Sequence, residues 1–313
     1  MEFGRISEKE LDKTDFSLPP EPAANALVLN NAVKHPPRVY LGCTTWGRKE
    51  WVGKIFPKGT KSADFLEQYV KQYNSVELNA THYQVYGPGA IGKWAAKAAD
   101  RDFKFCPKVP QVISHDSGFS DVALLTTTFL EGIRAFGEHL GPVFLQISEK
   151  YPPRQRDALF QYLQSLPADV QFFLEVRHPD WFADKGLRKE LFDRLRSVNI
   201  GTVITDTAGR RDVCHMELTV PKAFIRFVGN SLHKTDYTRA DAWTERMKYW
   251  LEHGLQELYF FVHMNEEAFA PELTVYLADK LNEACGLSLP KPLPRPQFVQ
   301  GSLFDQFTSA KKK

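Results

Sequence analysis

The feature that most constrains this chain is a pattern repeated eight times: a short run of apolar, β-branched or aromatic residues followed by a more polar connecting stretch, in most cases with helical spacing. The runs are Val39 to Thr44, Val76 to Ala80, Phe103 to Val109, Val143 to Ser148, Phe172 to His178, Thr202 to Thr207, Ala223 to Val228 and Leu258 to Met264. Strands buried on both faces read as near-continuous apolar runs, and strands alternating with helices imply parallel βα units. The stretch from Val39 to Gly286 has about the 250 residues of an eight-unit closed barrel. The expected fold is therefore an α/β (β/α)8 TIM-like barrel. An open doubly wound sheet is the alternative, but it calls for a glycine-rich phosphate turn after the first strand, where Gly42 stands alone.

The helical stretches carry their own signals. Phe65, Leu66, Tyr69, Val70 and Tyr73 recur at helical spacing, as do Val122, Leu125, Phe129, Ile133 and Phe136, so each stripe needs a sheet to cover it. Pro153 suits a first helical turn. Thr238 with Asp241 resembles a capping box, and Gly254 is placed to end that helix. The link from Ala208 to Lys222 shows little periodicity and is expected to be a loop with a short helix or none.

Three segments follow: an N-terminal extension over residues 1–37, the barrel over 38–287, and a Pro-rich tail over 288–313 that ends in Lys311, Lys312 and Lys313. With 43% hydrophobic and 25% charged residues, the chain has the composition of a globular domain. Its 40 basic and 38 acidic side chains leave a net charge of +2, so no domain-wide field selects for nucleic acid. Cys43, Cys106, Cys214 and Cys285 are scattered without a C-x-x-C pair and read as reduced core thiols. No run of about 18 apolar residues could span a bilayer, so no membrane partner is expected. A soluble cytoplasmic protein is expected, with oligomeric state left open.

Strand parity locates candidate chemistry. In Phe172 to His178 the apolar set Phe172, Leu174 and Val176 faces helices, leaving Glu175 and Arg177 inward. The same rule turns Glu77 and Asn79 inward on the second strand and Lys108 on the third. The later strands supply Gln146, Asp206, Arg226 and His263 near their ends. Active sites of such barrels gather at the C-terminal mouth. Buried charges must pair with one another or meet a ligand, so these residues are expected to form a polar mouth.

Five stretches resemble, in order, segments of the YecE-like family, domain of unknown function 72 (DUF72): Gly42 to Trp46, Val76 to Tyr83, Phe105 to Pro110, Gly141 to Ile147 and Glu175 to Trp181. The last, Glu-Val-Arg-His-Pro-Asp-Trp, is the most specific. The resemblance runs from Val39 to Leu287 and implies a barrel, but no biochemical role. Two departures stand out. His82 replaces a phenylalanine of the usual motif, and the seventh strand reads Arg226-Phe227-Val228-Gly229 where Arg-x-His-Gly is common.

Several chemistries fit this residue set. The first is an enzyme, a hydrolase or isomerase, acting on a phosphorylated or carboxylated small molecule. Lys108, Arg177 and Arg226 would hold the anion, with Glu175, Glu77, His178 or Asp206 moving protons. Asn79, Gln146, Trp46, Tyr83 and His263 complete the candidate binding set. No cofactor is expected, although Glu77, Glu175, Asp206, His115 and His263 offer oxygen and nitrogen ligands for a divalent metal. The alternatives are a nucleic-acid-binding or metal-dependent phosphodiesterase-like or endonuclease-like barrel, and a non-catalytic ligand-binding barrel. For nucleic acid, Trp46, Trp51, Tyr83 and Trp181 would stack on bases.

Overall fold

A computed structural model describes residues 3–29 and 36–292 of the chain. Its eight parallel strands are β1 (Arg38–Cys43), β2 (Ser75–Leu78), β3 (Lys104–Pro107), β4 (Val143–Gln146), β5 (Phe172–Glu175), β6 (Gly201–Asp206), β7 (Lys222–Gly229) and β8 (Glu257–Met264). Each falls on one of the eight apolar runs. Pairing follows the order β3-β2-β1-β8-β7-β6-β5-β4. Two isolated parallel bridges, Phe105 to Leu140 and Lys108 to Phe144, bring β3 against β4 and nearly close the ring. The architecture is the expected (β/α)8 TIM-like barrel.

The longer helices that follow the strands are α1 (Phe65–Tyr69), α2 (Pro88–Ala95), α3 (Ala123–Ile133), α4 (Arg156–Ser165), α5 (Lys185–Ser197), α6 (Lys234–Glu252) and α7 (Ala270–Cys285). Between β6 and β7 the chain makes only the single turn Arg211–Val213, as the weak periodicity there predicts. The capping expectation at Thr238 is corrected: α6 starts a turn earlier, with the His233 side chain accepting from the Thr235 amide. Asp236 explains the shift. Its carboxylate accepts from the backbone amides of Asn230 and Leu232, which fixes the preceding loop and starts the helix before Thr238. Gly254, at φ 108, ends it, a backbone conformation that glycine adopts without steric cost.

Two cores result from strand alternation. Outward residues such as Val76, Leu78, Leu174, Ile204 and Phe260 pack with the helices. Inward residues fill the lumen with aromatics: Tyr40, Phe144, Phe173, Phe224, Tyr259 and Phe261. Tyr40 stacks on Tyr259 at 4.9 Å, and Phe224 touches Phe144, Phe173 and Phe261 at 5.0 to 5.5 Å between ring centroids. The lumen is a packed core, so polar side chains have room only above it, at the C-terminal ends of the strands. Gly42 allows β1 and β2 to meet: a Cβ there would lie 2.1 Å from the Ser75 carbonyl oxygen.

Residues 3–29 lie against the barrel. Asn25 donates to the Met216 carbonyl and accepts from the Leu218 amide. Glu21 accepts from Arg246 and from the Trp250 indole, and Asp12 pairs with Lys234 at 2.8 Å. At the start of the segment, the Gly4 carbonyl accepts from the Gly209 amide at 2.7 Å. Gly4 has φ 69, and a Cβ there would strike Thr207. Beyond residue 292, most of the Pro-rich basic tail, including Lys311 to Lys313, lies outside the described residues. Cys43, Cys106 and Cys214 are buried free thiols, and Cys285 is half-buried. Among the described residues no helix is long and apolar enough to cross a membrane.

Candidate functional site

Above the aromatic lumen, β2, β5, β7 and β8 bring four side chains to one point. Arg226 of β7 is the centre. Its Nε and Nη2 donate to Glu77 Oε2 and Oε1 at 2.8 and 2.9 Å, and its Nη1 donates to Glu175 Oε2 at 2.6 Å. His263 Nε2 lies 3.0 Å from Glu77 Oε2, and Asn79 Nδ2 donates to Glu77 Oε1 at 2.8 Å. Glu175 Oε1 accepts from Arg177 Nε at 2.7 Å and from Thr205 Oγ1 at 3.0 Å. The planar guanidinium fork suits such bridging of two carboxylates.

The carboxylates are held as anions. Burial opposes the charge on Glu175, but Arg177 and Arg226 outweigh it and draw the carboxyl down to about 2. Burial is likewise overcome at Glu77, where Arg226 and His263 keep the group well below the usual carboxylate range. With their oxygens already accepting two or more bonds between them, Glu77 and Glu175 are poor proton acceptors at neutral pH.

Beside this cluster stands Lys108, at the C-terminal end of β3. Its Nζ donates to Gln146 Oε1 at 2.8 Å. Gln146 is oriented in turn by the Ile147 carbonyl and by His115 Nε2 at 3.3 Å. Burial and the charge of Arg226, with a further push from Arg177, bring the Lys108 amine down to about 7, against the pull of Glu175 and Glu77. Burial and Lys108 also lower His115, and the same causes take His82 to about 4. The two rings meet edge to face at 5.1 Å. The amine is thus the group of the mouth brought near neutrality, while both imidazoles are pushed toward their neutral form.

Three sequence expectations are corrected. Asp206 does not face the mouth: it accepts from Arg239 and from the Trp243 indole, both on α6, and pairs with Arg211. It sits on the outward parity of β6 shared by Ile204, while Thr205 takes the inward position. His178 lies in the loop after β5, where its Nδ1 accepts from the Asp180 amide at 3.2 Å. It orders the turn leading to Trp181 and, among the described residues, does not touch the cluster. Trp46 packs edge-on against Trp94 at 5.5 Å, also outside the cluster. Tyr83 is 79% exposed and reaches the mouth only through its edge contact with His82.

Other participants had weaker sequence signals. Parity points to Thr205, but its uncharged side chain draws less notice than Asp206. Phe3 has no local signal at all. Its ring lies over the guanidinium of Arg177 at 4.2 Å and near that of Arg210 at 5.2 Å, and Arg210 donates to the Arg177 carbonyl at 2.7 Å. Among the described residues, no three or more His, Cys, Asp or Glu side chains converge as a metal-ligand group.

A family model described as "Protein of unknown function DUF72" matches residues 40–298. The UPF0759 protein YecE of Escherichia coli strain K12 is 31% identical over 264 residues, covering 78% of this chain and 93% of that protein. The fold is similar to a crystal structure of a DUF72 family protein from Enterococcus faecalis, with TM-score 0.61 and 14% identity over 82% of this chain and 98% of that one. A DUF72 family protein from Thermotoga maritima has TM-score 0.57 and 20% identity over 79% and 99%.

Proposed function

This chain belongs to the DUF72 family of proteins of unknown function, and from that premise we propose that its barrel mouth binds a phosphorylated or carboxylated small molecule. The observation that carries this reading is Lys108. Among the described residues it has no carboxylate partner, although it is only 8% exposed, and its amine donates to the neutral amide of Gln146. Buried cations without a counter-charge are costly. An anion arriving at the mouth would relieve that cost, with Arg177 and Arg226 adding a fixed positive field. Glu77 and Glu175 then serve to hold the arginines in place, and proton transfer falls to the amine and the imidazoles.

The test is thermal stability in phosphate, pyrophosphate, citrate and three-carbon phosphorylated acids, against chloride at equal ionic strength. A bound anion at a hundred times its Kd adds about 2.7 kcal/mol. Arg177→Met should weaken that effect about tenfold or more in concentration. If no anion at 100-fold excess over protein up to the highest soluble concentration stabilises the wild type beyond chloride, the reading fails.

A further inference from the structure

Lys108 is held at both its backbone and its amine. Its backbone amide donates to the Leu78 carbonyl at 3.1 Å, its own carbonyl accepts from Thr81 Oγ1 at 2.8 Å, and it bridges to Phe144 across the β3–β4 seam. The backbone from which the side chain rises is thereby tied on both sides of the seam. Its amine meets an amide whose other contacts are already taken by the Ile147 carbonyl and His115. Across the mouth stand two guanidiniums whose geometry is set by Glu77 and Glu175. An amine that is desolvated and set among other cations is readily discharged, and the neutral form is a nucleophile rather than a counter-ion. Arg177 and Arg226, held by Glu77 and Glu175, keep their charge beside the amine.

From this arrangement we infer that Lys108 is a nucleophilic amine that forms an imine with an aldehyde or ketone carried by the anionic ligand, a 2-oxo acid or a phosphorylated carbonyl compound. This deepens the anion-site reading and rests on it. The neutral Nζ adds to the carbonyl carbon, the C=O π pair moves to oxygen, and a proton passes from nitrogen to that oxygen to give a carbinolamine. A second proton makes the oxygen leave as water while the nitrogen lone pair closes the C=N bond. The net change is amine plus carbonyl plus one proton to protonated imine plus water, with no oxidant or reductant. His115, one side chain away through Gln146, is placed to exchange these protons with solvent. The amine's position near 7 at the mouth makes the neutral form abundant at neutral pH.

The experiment treats the full chain with glyoxylate and sodium cyanoborohydride, which reduces an imine to a stable carboxymethyl-lysine, and maps the adducts by peptide mass spectrometry. Lys108 should be modified at least about tenfold faster than an exposed lysine at pH 7, because only a small fraction of an ordinary amine is neutral there. Lys189, whose side chain is 77% exposed, is the internal standard. The Lys108 rate should reach half its maximum near pH 7, inorganic phosphate should slow it, and Lys108→Met should remove the fast phase. Labelling of Lys108 no faster than Lys189, or a rate still climbing at pH 10, overturns the inference. If phosphate nevertheless stabilises the protein in the thermal assay, the anion site stands without the imine; if it does not, the anion reading itself has failed.

Discussion

Two buried ionic clusters lie at the C-terminal end of this barrel, and they differ in one respect that separates scaffold from site. The wall cluster joins β6 to α6: Asp206 and Asp236 face Arg239 and Arg211, two anions against two cations. Every arm is taken. Arg239 also donates to the carbonyls of Val228 and Asp206, and its face is covered by Phe227 at 4.0 Å and Phe16 at 5.0 Å. The mouth cluster pairs Glu77 and Glu175 with Arg226 and Arg177, then adds Lys108 with only an amide for company. Burial and charge are common to both. What distinguishes the mouth is the amine left without an opposite charge, and ion-pair networks that close on themselves perturb ionisation without any ligand in view.

The largest break in this comparison should come from Arg239→Met. It leaves Asp206 and Asp236 buried without their shared cation and should cost about 3–5 kcal/mol in urea denaturation. The stabilisation gained from anions should be unchanged, because the wall holds no part of the mouth. A variant that stays folded but loses the anion response would join the two clusters into one unit.

Lys108→Met should act with the opposite sign. Its folded-state pKa is depressed from 10.5 to about 7, so the unfolded chain binds more protons between those values and the wild type gains stability as pH rises through the window. The methionine variant keeps the aliphatic packing and avoids the burial cost. It should exceed the wild type by about 4 kcal/mol at pH 6, the shift less the lost bond to Gln146, and the gap should shrink steadily toward pH 10.5. Denaturation curves at pH 6 and pH 9 give the slope; equal gaps at both would remove the special status of Lys108.

A third effect lies on the acid side. Glu175 has its folded pKa lowered from 4.5 to about 2, so its contribution is present above 4.5 and lost as pH falls toward 2. Glu175→Gln should flatten that limb of the stability curve by about 2 kcal/mol, read as a smaller difference between midpoints at pH 5 and pH 3. The smallest effect should be that of Phe3→Ala: about 0.5–1 kcal/mol from the lost cation–π contact, measured by thermal unfolding.

The barrel and most of the mouth were legible because both rest on period-two alternation. Glu77, Lys108, Gln146, Glu175, Arg226 and His263 all lie on the inward parity of runs that are apolar on the other face. Asp206 was misplaced because each parity of β6 mixes a threonine with an aliphatic residue, Thr202 with Ile204 and Val203 with Thr205, so hydropathy gives no alternation to override the pull of a charged residue near a strand end. His178 stands in a His-Pro-Asp-Trp turn, where an imidazole that accepts a backbone bond looks in sequence like one that moves protons. Thr238 imitates a cap, but the Asp236 contacts that start α6 earlier come from a loop whose geometry no local pattern encodes. Phe3 meets Arg177 across more than half the chain, a pairing that depends on the barrel already being closed.

That last contact sets a scale for recognition. A ligand that needs the face of Arg177 engages only molecules in which Phe3 has moved aside, so its measured Kd is the intrinsic constant divided by the fraction in that conformation. A net preference of about 2 kcal/mol for the covered arrangement leaves roughly 3% of molecules competent and weakens apparent binding about thirtyfold. The segment that does this precedes the stretch matched by the family model. Two proteins could therefore share every residue of the mouth and still differ in the concentration at which it fills.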